Sequence, residues 1–280
     1  MKKLKPKTPG SRGTAIVSYK KILTKSKPHK ALTKGFRRGS GRNSAGRITT
    51  RHKGGGHKRR FREIDFKYNK RDMEARIESV EYDPNRSGFI ALVLFRDGER
   101  RYVVVSKGVT VGDTFIVSEN APVKLGNRLP LGKIPIGTFV YNVELKPEGG
   151  ARIARSAGNA AEVIAHDQGH TNLKMPSSEV RKVPSLAWAS IGEVSNDEHK
   201  LVVLGKAGRK RWMGIRPTVR GAAMNAVDHP HGGGEGRAGR GHRRARTKWG
   251  KPSGKGQKTR KPKKYSNSLI LRRRKVGKRR

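Results

Sequence analysis

The sequence predicts a mainly β protein, two small β-barrels in tandem flanked by long basic extended arms, and three observations carry that expectation. Charge is segregated: residues 1–60 hold 20 Lys and Arg and no acid, residues 61–204 hold 20 basic and 19 acidic residues, and residues 205–280 hold 26 basic and 2 acidic ones. Short runs of β-branched and aromatic residues, spaced by turn signals with no helical period between them, occupy only the near-neutral centre. Both flanks are rich in Lys and Arg and in Gly and Pro, and the glycines and prolines interrupt regular structure. The expected division is a basic extension over 1–60, a first barrel over 61–124, a second over 125–204 and a basic Gly-rich extension over 205–280.

Taken in order, Met1 to Arg60 reads as irregular chain: Lys5-Pro6, Thr8-Pro9-Gly10 and Lys27-Pro28, then GFRRGSGRNSAGR (Gly35 to Arg47) and RHKGGGHKRR (Arg51 to Arg60). Small residues let backbone approach a phosphate while Arg, Lys and His supply donors, so Arg51, His52, Lys53, His57, Lys58, Arg59 and Arg60 are candidate RNA-binding residues. A disordered, solvated tail is the bland alternative. From Phe61 the texture changes. Ala75–Tyr82, Phe89–Phe95, Arg101–Val105 and Thr114–Val117 are expected strands, separated by turns at Asp83-Pro84-Asn85, Asp97-Gly98 and Val111-Gly112-Asp113. Their even spacing suits a small barrel, and the oligonucleotide-binding type fits the length. A second set follows Gly126–Pro135: Phe139–Leu145, Ala151–Ala154, Ala161–Ala165, Glu179–Val183, Ala187–Val194 and Lys200–Leu204. KAGRKRW (Lys206–Trp212) suits a helical turn. Lys251–Lys264 resembles the N-terminal arm in kind, and LRRRKVGKRR closes the chain as a basic run.

A formal net charge of +45 on 280 residues, concentrated in the arms, suits a folded module that anchors polyanion-neutralising extensions. Nucleic acid is the expected partner. A membrane surface would need an amphipathic face opposite the charges, and the arms have none. The longest apolar run, Phe89–Phe95, has seven residues, too few to span a bilayer. No apolar signal region follows the basic N-terminus, although an acid-free start also suits a transit peptide. Without cysteine there are no disulfides or thiolate zinc sites.

Chemistry-bearing residues concentrate in RPTVRGAAMNAVDHPHGGGEGRAGRGHRR (Arg216–Arg244), which has little hydrophobic periodicity. Its few apolar side chains cannot offset the roughly 1–2 kcal/mol per residue that ordering costs, so a partner is expected to shape it. GEGRAG (Gly234–Gly239) matches G-x-G-x-x-G by chance: no strand precedes it, no helix follows and no acid lies beyond Glu235. No phosphate-cradling NTPase loop occurs. Asp228, His229 and His231 allow three readings: metal ligands, a general acid or base at His229, or hydrogen-bonding groups that fix one loop shape on RNA. The third asks least, because no further ligand, nucleophile or oxyanion partner can be named. Lys206, Arg209, Arg211, Arg216, Arg220, Asn225, His229, His231 and Arg237 are accordingly candidate RNA-binding residues.

The same loop, RPTVRGAAMNAVD followed by HPHGGGEGR, closely resembles the signature of the bacterial-type second protein of the large ribosomal subunit, the universal ribosomal protein two family. Also similar are KPKTPGSRG (Lys5–Gly13), GRNSAGRITTRHKGGGHKRR (Gly41–Arg60), IDFKYNK (Ile64–Lys70), YDPNRSGFIALV (Tyr82–Val93), LPLGKIPIGT (Leu129–Thr138), GGARIARSAG (Gly149–Gly158), MPSSEVR (Met175–Arg181) and GKAGRKRW (Gly205–Trp212). The resemblance implies an oligonucleotide-binding barrel followed by an SH3-like barrel, with the arms in large-subunit rRNA near the peptidyl-transferase region. It further implies roles in subunit association and tRNA placement, rRNA binding at the positions of Lys70, Arg86 and Arg155, and a supporting role at the position of His229. Expected partners are large-subunit rRNA, neighbouring ribosomal proteins and small-subunit rRNA across the interface, with no membrane and no homo-oligomer. No cofactor is expected beyond magnesium or potassium shared with rRNA, and the implied place is a cytoplasmic bacterial ribosome ahead of an organellar one. Because similarity begins by Lys5, the transit-peptide reading weakens. Two positions depart from the family pattern: Ala226 stands where proline is usual, which loosens the turn before Asp228, and Tyr141 where histidine is usual, which argues against chemistry at 141.

Overall fold

The computed structural model describes residues 1–36, 38–254 and 259–274. Arg37, 255–258 within the expected basic stretch 251–264, and 275–280 of the terminal basic run lie outside the described residues. The chain forms two compact units, one from the described residues of Met1–Arg38, Lys58–Lys206 and Ser268–Arg280, the other from Gly39–His57 and Ala207–Asn267.

The first unit holds both barrels. Strand Glu74–Glu81 pairs antiparallel with Ile90–Phe95 and with Thr114–Ile116, and Ile90–Phe95 pairs in turn with Arg100–Val104. Alternation directs Ala75, Ile77, Ala91, Val93 and Val103 into a core with Phe89 and Phe115. The opposite side, Ile90, Leu92 and Tyr102, is also buried, under Leu32 and Ile64. That cover explains a departure from the irregular chain expected over 1–60. Tyr19 and Leu23 pack on the barrel core, Thr24 N–H donates to Val80 O at 3.0 Å, and His29 N–H donates to the Tyr102 hydroxyl at 2.7 Å. The apolar residues scattered through this arm are enough to fold part of it onto the barrel.

The second barrel is an antiparallel sheet in the order Ile270–Arg272, Val180–Pro184, His170–Lys174, Ala161–Asp167, Phe139–Tyr141, Trp188–Ile191, Arg128–Pro130. The architecture is therefore mainly β, an oligonucleotide-binding barrel followed by an SH3-like barrel. The run expected as one strand from Phe139 to Leu145 is broken at Asn142, whose φ of 49° interrupts the ladder. Lys200–Leu204, expected as a strand, is instead the end of a 3-10 helix, Asp197–Leu201, followed by a bridge from Val203 to Ala15. Left-handed Asn196 turns the chain away from the barrel there, and Leu201 and Val203 stay exposed.

The barrels share interior. Trp188 and Ala151 belong to the first barrel's core cluster, and Ala151 N–H donates to Phe66 O at 2.7 Å. Tyr141 is buried with Val104 and Val194, and burial pushes its phenol up to about 12. The departure from histidine thus places a core residue there.

Candidate nucleic-acid interface

On the first unit, cations are placed by aromatic rings. The guanidinium carbon of Arg155 lies 4.5 Å from the Phe66 ring centroid and that of Arg86 lies 5.4 Å from it. A guanidinium is weakly hydrated and stacks on a ring while its edge donors stay available. The Asp83-Pro84-Asn85 turn fixes Arg86: buried Asp83 accepts from Arg86 Nε at 2.6 Å and from Asn85 N–H at 2.9 Å. Arg59 donates to Pro84 O, and Arg60 O accepts from Asn85 Nδ2 at 2.8 Å, which ties the end of the basic extension to the same turn.

Lys70 is placed otherwise. Its ammonium pairs with Asp97 and Glu99 and sits 5.0 Å from the Phe95 ring centroid. Desolvation works to lower its pKa, but hydrogen bonds and charge from the two acids outweigh that and raise it. Arg101 extends the cluster, bonding Asp65 at 2.8 Å and Glu99 at 2.6 Å. Of the three positions the resemblance marks on the barrels, Arg86 and Arg155 therefore share one ring, whereas Lys70 is matched by carboxylates.

The second unit carries 22 Lys and Arg against 2 acids. Two of its segments lie side by side: Arg216 N–H donates to His52 O at 3.1 Å, Gly54 N–H to Gly214 O at 3.0 Å and His57 N–H to Trp212 O at 2.9 Å. His52 Nδ1–H donates to Pro217 O at 3.1 Å, which fixes that ring's tautomer. The result is an open cleft lined by Arg42, Arg51, His52, Lys53 and Arg216. Ala207–Trp212 is a short helix, as KAGRKRW suggests, and Arg209 and Arg211 lie in its last turn, where the carbonyls of Arg209, Lys210, Arg211 and Trp212 accept from the N–H groups of Met213, Ile215, Gly214 and His57. Lys206 immediately precedes it.

The glycine-rich loop is held by its own backbone. Asp228 N–H donates to Asn225 O at 3.0 Å, Gly232 N–H to His229 O at 2.8 Å and Gly233 N–H to Met224 O at 3.1 Å. A Cβ on Gly232 would lie 2.2 Å from Asn225 O, and one on Gly221 would lie 2.4–2.6 Å from atoms of the His229 ring. At Gly232, against backbone, only glycine permits the approach, whereas a Cβ at Gly221 would displace the His229 ring. Arg220, whose carbonyl opens the turn Gly221–Ala223, and Arg237 are exposed.

The His229 and His231 rings lie with centroids 4.7 Å apart at a 49° tilt, and His242 follows at 5.9 Å from His231. Backbone amides settle their tautomers. His231 N–H donates to His229 Nδ1 at 3.0 Å, so His229 carries its proton on Nε2; Arg246 N–H donates to His231 Nε2 at 3.1 Å, so His231 carries its own on Nδ1. Desolvation, then the neighbouring His229, Arg240, His242 and Arg246, hold the His231 pKa below the usual value. With one nitrogen of each ring occupied by a backbone donor, the pair is poorly suited to ligate an ion, and among the described residues no group of three His, Cys, Asp or Glu side chains is placed to hold a metal.

Phe66, Asp83, Arg42 and Arg246 escaped the sequence reading. Asp83 was legible as a turn residue in Asp-Pro-Asn-Arg, but nothing in the sequence marks Phe66 as a platform.

Two small barrels joined to an acid-poor, glycine-rich unit define an RNA-binding structural protein. Residues 29–118 match the family model described as Ribosomal Proteins L2, RNA binding N-terminal domain, and residues 124–250 that of Ribosomal Proteins L2, C-terminal domain. "Large ribosomal subunit protein uL2" of Xanthomonas euvesicatoria pv. vesicatoria (strain 85-10) is 53% identical over 272 residues, 97% of this chain and 98% of the relative. The protein of the same name from Buchnera aphidicola subsp. Acyrthosiphon pisum (strain Tuc7) is 54% identical over 273 residues, 98% of each. The chain belongs to the L2 family of ribosomal proteins, structural proteins rather than enzymes. Among the described residues no helix is long and apolar enough to cross a membrane.

Proposed function

We propose that the chain is a structural component of the large ribosomal subunit that binds large-subunit rRNA near the peptidyl-transferase region. There it supports subunit association, tRNA placement and peptide-bond formation. The observation that carries this reading is the second unit, in which 22 basic residues and 2 acids surround a backbone that glycines draw unusually close. Its Arg51, His52, Lys53, His57, Arg209, Arg211, Arg216, Arg220, Asn225, His229, His231 and Arg237 contact rRNA, joined by Lys58, Arg59, Arg60, Lys70, Arg86, Arg155 and Lys206 of the first unit. In functional terms 1–60 and 205–280 act as rRNA-directed extensions of barrels at 61–124 and 125–204. Neighbouring ribosomal proteins and small-subunit rRNA are the other partners, in a cytoplasmic bacterial ribosome. Magnesium or potassium reaches the chain only as an ion shared with RNA.

His229 acts here as a fixed hydrogen-bond donor through Nε2–H. His229→Gln removes the acceptor that holds His231 N–H and the ring that fills the space over Gly221. The expected outcome is that particle assembly and peptide-bond formation fall together. Loss of peptide-bond formation in fully assembled particles with unchanged rRNA affinity would overturn the scaffold role.

A further inference from the structure

Trp249 has no part in the loop chemistry above, yet it is 67% exposed in the second unit. Leaving so large an apolar ring in water forgoes burial that a folded chain normally takes. The local structure holds it there. Ser253 N–H donates to Ala245 O at 2.7 Å, Arg246 bridges Pro252, and Thr247 N–H donates to Lys251 O at 2.8 Å, which closes a hairpin. At its tip Gly250 N–H donates to Thr247 O at 2.9 Å, and Gly250 takes a φ of 76°. That places Lys248 and Trp249 at the two central positions of a tight turn.

Two cations attend the ring: the guanidinium carbon of Arg51 lies 5.2 Å from its centroid and the Lys248 ammonium 5.1 Å. Arg51 also lines the cationic cleft with Arg42, Lys53 and Arg216. An apolar protein partner would meet these charges over the ring and have to desolvate them. A nucleotide needs both features, a flat ring for its base and cations for its phosphates.

We infer that the Trp249 hairpin tip is a stacking platform for one unpaired RNA base, with Arg51 and Lys248 holding the flanking phosphates. This rests on the RNA-binding reading above and adds the mode of recognition at one position. Duplex RNA presents no free base face, so the platform selects a flipped or single-stranded nucleotide.

The test uses the full chain at fixed salt, titrated with a short oligoadenylate strand and with an abasic strand of equal length. Trp249→Ala is expected to weaken oligoadenylate binding about tenfold, the scale of one aromatic–base stack. It leaves abasic binding unchanged, while Trp249→Phe keeps most of the affinity. Stacking also quenches indole fluorescence in the wild type, and that quenching is absent in Trp249→Phe. Equal affinity of wild type and Trp249→Ala for oligoadenylate, or equal losses on both strands, would overturn the platform while leaving RNA binding in place. Failure of the wild type to bind either strand would overturn the RNA-binding reading and the platform with it.

Discussion

Arg128, 1% exposed, donates to Glu144 Oε1 at 3.0 Å and to Asn142 O at 2.8 Å, and its guanidinium carbon lies 4.4 Å from the Tyr68 ring centroid. Tyr68 precedes the first barrel's strands, and Asn142 and Glu144 lie within the second, so this pair sits where the barrels meet. Burial pulls the Arg128 pKa down, and Tyr68 and Glu144 work against that pull. Glu144→Ala would strand the guanidinium, and the expected cost is about 3–5 kcal/mol in chemical denaturation followed through buried Trp188. A second prediction concerns His231. Its folded-state pKa is depressed, so the neutral ring's contribution to loop stability is present above about 6.5 and lost as pH falls through the depressed value. Proton NMR is expected to show a midpoint below that of a free imidazole, with the Arg246 amide exchanging faster as His231 charges. A midpoint at or above the free value would break the tautomer assignment. Arg128 was not legible in advance, and of His231 only a loop-fixing hydrogen-bond role was, not its tautomer. Arg128 reads as one more surface cation in GNRLP, and hydrogen-bond roles of imidazoles depend on backbone that sequence does not place.

At the scale of elements, the strands richest in β-branched residues were the legible ones: Glu74–Glu81, Ile90–Phe95 and Arg100–Val104 lie within a residue of expectation. His170–Lys174 was not, because HTNLK has low β-propensity; it is recruited by the Asp167–His170 hairpin, where Gln168 and Gly169 both take positive φ. Ile270–Arg272, within a basic tail, is a strand only because Val180–Pro184 offers it an edge. In the loop, Ala226 follows Asn225 in the turn closed by Asp228, the position where proline is favoured, which accounts for the family's usual residue. The Phe66 platform yields a prediction at this scale. Phe66→Leu keeps apolar packing but removes the ring face that orders Arg86 and Arg155. With about 0.5–1.5 kcal/mol for each of the two side chains to be ordered again on binding, rRNA affinity is expected to fall about 5- to 150-fold with little change in Tm. A large drop in Tm with unchanged affinity would make Phe66 a core residue alone.

Over the whole molecule, function was more legible than conformation. Segregated charge pointed to a polyanion, and the barrels argued against mere coating, since neutralising phosphate does not require two folded cores. What charge could not show is how much of the basic extension the protein itself organises. Tyr19, Leu23 and Leu32 are too sparse to make a periodic signal, yet they pack part of the N-terminal arm onto the first barrel. Nor could it show that Lys70 is balanced by Asp97 and Glu99 before any RNA arrives. Cations held in fixed geometry are expected to give both affinity and preference for one RNA shape. The most direct measurement is the affinity of the full chain for a cognate large-subunit rRNA fragment and for an unrelated duplex of equal length, across a salt series. Affinity for both is predicted to fall linearly in log–log form, by about 0.7–0.9 in slope per neutralised phosphate, with the cognate fragment bound more tightly at every salt. Salt-independent binding, or equal affinity for the two RNAs at equal salt, would contradict the account.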